Sequence, residues 1–117
     1  AALRAAQWPT FASASGLPYM PAVSPGWDAS PRGADFGQTR PDKYPWSPVV
    51  TGEHPELFAD ALRRACAFAS PIPCDDPLVL IASLNEWSEG HYLEPDERFG
   101  HGWLQAVQAA VEHARGA

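Results

Sequence analysis

The chain has 117 residues, 45% of them hydrophobic, with eight Lys and Arg against fourteen Asp and Glu for a net charge of −6. That length can bury a core, while an acidic surface repels phosphate and argues against nucleic acid or anionic membrane as a partner. The longest apolar run, residues 78–82, falls far short of the ~18 residues of a membrane span, so no transmembrane segment is expected.

Cys66 and Cys74 are too few for a disulfide framework and lack zinc-site spacing, so they read as a buried thiol and a loop thiol. Thirteen prolines are about twice the ordinary usage. Disorder is not the reason, because five Trp, five Phe and three Tyr are too many for a chain that never packs. The opening A-A-L-R-A-A-Q-W has no initiator Met, basic segment or signal-peptide core, which leaves the compartment unknown with only a weak lean to the cytoplasm.

In chain order, residues 1–7 read as the last turns of an Ala-rich helix, stopped at Trp8 because the residue before Pro9 avoids the α region. A short strand is expected over 19–23, weakened by Pro21, which removes a ladder donor. Eight prolines lie between 18 and 55, interleaved with Tyr19, Trp27, Phe36, Tyr44 and Trp46. A compact domain does not carry so long a loop without using it, so 17–54 is read as an active-site loop region. Pro55 then opens an amphipathic helix to Ala69, with Phe58, Ala61, Leu62, Ala65 and Phe68 on one face and Arg63 and Arg64 on the solvated side. Ser70, Pro71 and Pro73 end it. Residues 78–82 are apolar without alternation, the pattern of a parallel strand buried on both faces. A second amphipathic helix is expected over 100–115, with Trp103, Leu104, Val107, Val111 and Ala114 inward and Gly116 as its stop. This βαβα order places the chain in the α/β class, as in doubly wound sheets and (β/α)8 barrels.

Parallel α/β folds carry their sites where strands end. The strong strand runs directly into Ser83, Leu84, Asn85, Glu86, Trp87, Ser88, Glu89, Gly90, His91, Tyr92, Leu93, Glu94, Pro95 and Asp96. Glu86 and Glu89 are three apart, which on a helical turn leaves their Cβ atoms about 5–6 Å apart. Like charges that close push their pKa values apart and so supply one acid and one base. Glycosidic bond cleavage needs that pair, and a short separation points to retention of configuration. Trp87 and Tyr92 offer flat faces to sugar rings. Glu94, Asp96 and Glu97 read first as caps of the following helix or partners of Arg98. Glu86, Glu89, His91 and Asp96 match no metal-site spacing, so no metal and no organic cofactor is expected. His54, His101 and His113 sit at helix boundaries or on polar faces and read as structural.

The run N-E-W-S-E-G from Asn85 to Gly90, followed by Leu93, Glu94 and Pro95, resembles the N-E-W-x-E-G…(I/L)-E-P signature of the glycoside hydrolase family 99-like domain. That group includes endo-acting α-mannosidases and WbsX-type proteins of bacterial surface-polysaccharide gene clusters, and the string here is most similar to the WbsX version. Upstream, P-G-W-D-A-S-P-R from Pro25 to Arg32 resembles the P-G-(Y/W)-D-x-(S/T)-x-R segment of the same family. The resemblance implies a (β/α)8 TIM-type barrel of which residues 1–117 are the C-terminal portion. Such a barrel needs about 250 residues, so the remainder is expected N-terminally. In the hydrolases the first Glu of the signature acts as base on the sugar's 2-hydroxyl, which attacks the anomeric carbon. The second Glu protonates the leaving oxygen. By position these roles fall to Glu86 and Glu89. Trp27, Asp28, Arg32, Trp87, Tyr92 and Glu94 would shape or hold the sugar, and Asn85 would orient Glu86. Ser88 stands where the mannosidases favour His, so the substrate need not be a mannan. The expectation is a carbohydrate-active enzyme acting on an oligo- or polysaccharide, with two alternatives: a WbsX-type glycosyltransferase or a non-catalytic sugar-binding remnant.

Overall fold

Among the residues described by this computed structural model, 2–37 and 39–116, the order is α1 (Ala2–Ser15), β1 (Ala22–Val23), α2 (Pro55–Ala69), β2 (Leu80–Ile81), β3 (Asn85–Glu86), β4 (His91–Tyr92) and α3 (Gly102–Gly116). Short 3-10 turns cover Ser30–Phe36 and Trp87–Glu89. β1 and β2 pair in parallel, Ala22 opposite Leu80 and Val23 opposite Ile81. β3 and β4 form an antiparallel hairpin.

The first helix departs from expectation. It does not stop at Trp8 but runs through Pro9 to Ser15; Ala1 lies outside the described residues. Proline inside a helix costs about 3 kcal/mol. Here Trp8 is buried in the core and its ring lies 5.6 Å from that of Phe68 on α2, so packing outweighs the local preference. Pro21, by contrast, fits a strand edge. It is fully buried just before β1, and its carbonyl accepts the Leu80 amide at 2.9 Å.

The α2 helix spans the expected residues. Pro55 occupies its first turn, and His54 caps it through Nδ1, which accepts the Glu56 amide at 3.2 Å. Phe58, Ala61, Leu62 and Ala65 are buried, with Phe68 packed beside them. Their partner is α3, whose inward face is Trp103, Ala106 and Ala110. Leu104 and Val111, expected inside, are 38% and 41% exposed, and Ala114 is exposed too. The face is rotated because small alanines let the two helices approach closely, an advantage hydropathy alone does not register.

The 78–82 strand is also corrected. Only Leu80–Ile81 join the ladder, and burial is one-sided. Val79 and Ile81 pack on the core, while Leu78 and Leu80 are 55% and 52% exposed. The helices cover one face, and no described residue covers the other. Cys66 and Cys74 are free thiols, both half-buried. No described helix is long and apolar enough to cross a membrane.

The rotated α3 face is testable by urea denaturation. Ala110→Leu overfills a closed contact and should cost about 1–3 kcal/mol. Val111→Ala, on the exposed side, should stay within about 0.5 kcal/mol of the parent. Equal costs would restore the hydropathy-based face.

Candidate active site

Because β1 and β2 are parallel, the chain leaves both at the same edge, and the two loops that follow meet there. Their contact is made by backbone. The Asp28 amide donates to the Glu89 carbonyl at 2.8 Å. Gly90 has φ +64°, and a Cβ on it would come within 2.8 Å of the Asp28 nitrogen; one on Gly26 would meet the Gly90 carbonyl oxygen at 2.8 Å. Only glycine tolerates both the left-handed backbone and the close approach. Trp27 is held from its other side, where its carbonyl accepts the Val50 amide at 2.8 Å.

This docking brings Arg32 between the two carboxylates. Its Nη2 donates to Glu86 Oε1 at 2.9 Å, and its Nε lies 3.1 Å from Glu89 Oε1. Glu86 ends β3 and Glu89 lies in the 3-10 turn after it, so a turn rather than an α-helix sets their relation. The like-charge repulsion implied by the spacing is offset by one shared cation. Ser88 Oγ donates to Glu86 Oε1 at 2.7 Å, and this bond together with Arg32 holds the Glu86 carboxyl below its ordinary range. Glu89 is the more sheltered, with its side chain 20% exposed against 39% for Glu86. Tyr44 reaches in from the long loop, its hydroxyl donating to Glu89 Oε1 at 3.2 Å. On the other carboxylate oxygen, His91 Nε2 lies 3.2 Å from Glu89 Oε2.

The remaining expected residues fall around this centre. Asp28 turns away from it, accepting the Ser30 amide through Oδ1 at 2.9 Å, and bonds from Ser30 hold its carboxyl low. Trp27 lies against the His91 ring, 5.2 Å between centroids. Trp87 and Tyr92 stack on each other at 3.6 Å and 12°, so Tyr92 backs the Trp87 indole and one Trp87 face is left for a ligand. Glu94 accepts the Trp87 indole N–H and so steadies that platform. Asn85 does not orient Glu86. No side-chain bond joins them among the described residues, since β3 pairing turns adjacent side chains to opposite faces, and Arg32 and Ser88 take that role.

Asp96 does not cap α3 as expected, because that helix begins at Gly102 and Asp96 closes the turn before it. Its Oδ1 accepts the Phe99 amide at 2.6 Å, and its Oδ2 accepts the Trp103 indole and the Tyr92 hydroxyl, each at 3.0 Å. Burial alone would raise its pKa, but these bonds together hold it low. Arg98 pairs with Glu53 at 2.9 Å, not with Glu94, Asp96 or Glu97. A cavity of about 430 Å³ lies beside the site, lined by Val23, Trp27, Leu57, Phe58 and His91 among others. A smaller one of about 200 Å³ runs past Asp28, Tyr92 and Asp96. Neither of these is lined by Glu86, Glu89 or Arg32, whose partly exposed side chains face solvent where the strands end.

Sequence reasoning missed the roles of Tyr44, Ser88 and His91. Tyr44 stands 45 residues from Glu89, beyond any spacing rule. Ser88, two residues after Glu86, carried a local signal, because a hydroxyl at that separation returns readily onto a carboxylate.

A family model described as glycosyltransferase WbsX matches residues 5–107. Proteins described as uncharacterized protein WxcX, from two strains of Xanthomonas campestris pv. campestris, are 34% identical to this chain over 95 residues. That alignment takes in 80% of this chain and 12% of each relative, so the chain spans about an eighth of their length. No solved structure gives a significant match.

Two measurements check this electrostatic picture. Arg32→Gln removes the shared cation, so the Glu86 carboxyl should titrate at higher pH than in the parent by carbon-detected NMR. Asp28, Glu86 and Asp96 are all held low in the fold, so the unfolded chain takes up protons first as pH falls. Stability should therefore be full above the ordinary carboxylate range near about 4 and be lost on further acidification. Asp96→Asn should flatten that acid limb and cost about 1–3 kcal/mol at pH 7, because it strands donors that now have a partner.

Proposed function

The chain belongs to the WbsX glycosyltransferase family, and from that premise we propose that it supplies the acid and base for glycosyl transfer in building a polysaccharide. A carbohydrate-related function follows from the membership. The finer reading rests on one observation, the Arg32 bridge that holds Glu86 and Glu89 together where two parallel strands end.

Glu86, kept ionised by Ser88 and Arg32, is suited to take a proton, in the family pattern from the sugar's 2-hydroxyl as that oxygen closes on the anomeric carbon. Glu89 gives its proton to the departing glycosidic oxygen. In the second half, Glu89 removes a proton from the incoming hydroxyl while the 2-oxygen regains one from Glu86. Two inversions give net retention. A sugar hydroxyl as the incoming group makes this transfer; water makes it hydrolysis, with the same side chains in the same roles. Trp87, backed by Tyr92, gives a sugar ring an apolar face to stack on.

The parallel β1–β2 pair, the helices on one face only and the partly exposed carboxylates support reading the chain as part of a (β/α)8 barrel whose other strands complete the walls. The alternating β and α order favours that architecture over a free-standing small domain.

The test uses the intact protein with purified oligosaccharides followed by mass spectrometry, which separates addition of a sugar from addition of water. Glu86→Gln and Glu89→Gln should each lower the rate about 10²–10⁴-fold while circular dichroism stays unchanged. Wild-type rates in both variants would sink the assignment. Glycan binding by the intact parent protein with neither transfer nor hydrolysis of any bound oligosaccharide would instead mark a sugar-binding module.

A further inference from the structure

His91 is the buried polar side chain beside the carboxylate pair, only 8% exposed. Four constraints hold it. Its backbone pairs with Glu86 in the β3–β4 hairpin, and its carbonyl accepts the Ser83 hydroxyl at 3.0 Å. Trp27 lies against its ring, and Nε2 lies 3.2 Å from Glu89 Oε2. Its other nitrogen, Nδ1, is buried and has no hydrogen-bond partner among the described residues.

That orphan decides the tautomer. An Nδ1–H imidazole would bury an unpaired donor, and its Nε2 could meet Glu89 only by accepting the proton that the acid must give to the glycosidic oxygen. An Nε2–H imidazole pairs its donor with Glu89 and leaves only an acceptor unmatched, the cheaper fault in a buried site. With that proton in place, both oxygens of Glu89 are assigned. Oε1 faces Arg32 Nε and the Tyr44 hydroxyl, and Oε2 takes the His91 donor. Donors from three separate segments then fix the plane of one carboxyl group. Arg32 also reaches Glu86, whereas Tyr44 and His91 hold Glu89 without bonding Glu86, and of these three donors His91 is the one on Oε2.

We propose that His91 is a positioning residue for Glu89: its Nε2–H fixes the rotation of the Glu89 carboxyl and so determines which oxygen meets the glycosidic oxygen. This rests on the acid–base reading of Glu89. It extends that reading by placing the orienting group in the hairpin itself, on a residue two positions past the acid.

Two substitutions separate orientation from packing. Glutamine places an amide N–H near the position of Nε2 and keeps the donor. Asparagine ends near the position of Nδ1 and falls short of Glu89. In the folded chain, long-range proton–nitrogen NMR should show His91 protonated at Nε2. The Glu89 carboxyl carbon resonance should stay near its parent position in His91→Gln and move in His91→Asn. In the oligosaccharide assay, His91→Asn should lower kcat about tenfold with KM changed less than about twofold, and His91→Gln should recover to within about threefold, as expected for a misplaced reacting group. An Nδ1–H tautomer, or equal effects of the two variants, would overturn the proposal. A Glu89→Gln variant that kept full activity would defeat the acid–base reading instead, leaving the tautomer and the NMR contrast as they stand.

Discussion

Asp28 and Glu89 touch through their backbones, and the local arrangement of the site is built outward from that contact. A single amide-to-carbonyl bond of 2.8 Å ties the loop after β1 to the turn after β3. It forms because Gly26 and Gly90 carry no side chains where the two loops press together. Arg32 follows Asp28 by one short 3-10 turn, so fixing Asp28 also fixes where the guanidinium can reach. Half-exposed ion pairs contribute only about 0–1 kcal/mol each. The Arg32 bridge therefore contributes little to holding the loops together. The glycine-lined contact does the holding, and the bridge sets the charge of the site.

The charge arrangement differs from a simple pair of repelling carboxylates. One cation between Glu86 and Glu89 lets both approach it, and the other donors around them differ. Glu86 receives Ser88, whereas Glu89 receives Tyr44 and faces His91. Two carboxylates three residues apart thus acquire unlike surroundings, which is the condition for splitting acid and base roles. The asymmetry comes from neighbours in the loop and hairpin, not from their spacing.

The scaffold under the site shows the same division between local and tertiary causes. Helix α2 formed over the expected residues because its cap, its proline and its apolar spacing all agree. Elsewhere those cues disagreed with packing, and packing prevailed. Trp8 drew α1 through Pro9, and Ala106 and Ala110 displaced Leu104 and Val111 from the helix interface. The 78–82 run reads as doubly buried because hydropathy records what a strand can bury, not what stands opposite it. Leu78 and Leu80 remain exposed.

From the sequence alone came the α/β order, the helix over α2, the motif pair and Glu86 and Glu89 as the candidate pair, with Arg32 only among the residues set around a sugar. All of these are encoded in runs of neighbouring residues, where spacing, caps and turn chemistry act over a few positions. Tertiary structure alone decided that Arg32 stands between the carboxylates, that Tyr44 and His91 close around Glu89, and that Asn85 stays out. Those contacts join segments as far apart as Arg32 and Glu86, 54 residues along the chain. No periodicity spans such a distance; parallel pairing of β1 with β2 brings the segments to one edge, and two glycines let their backbones meet.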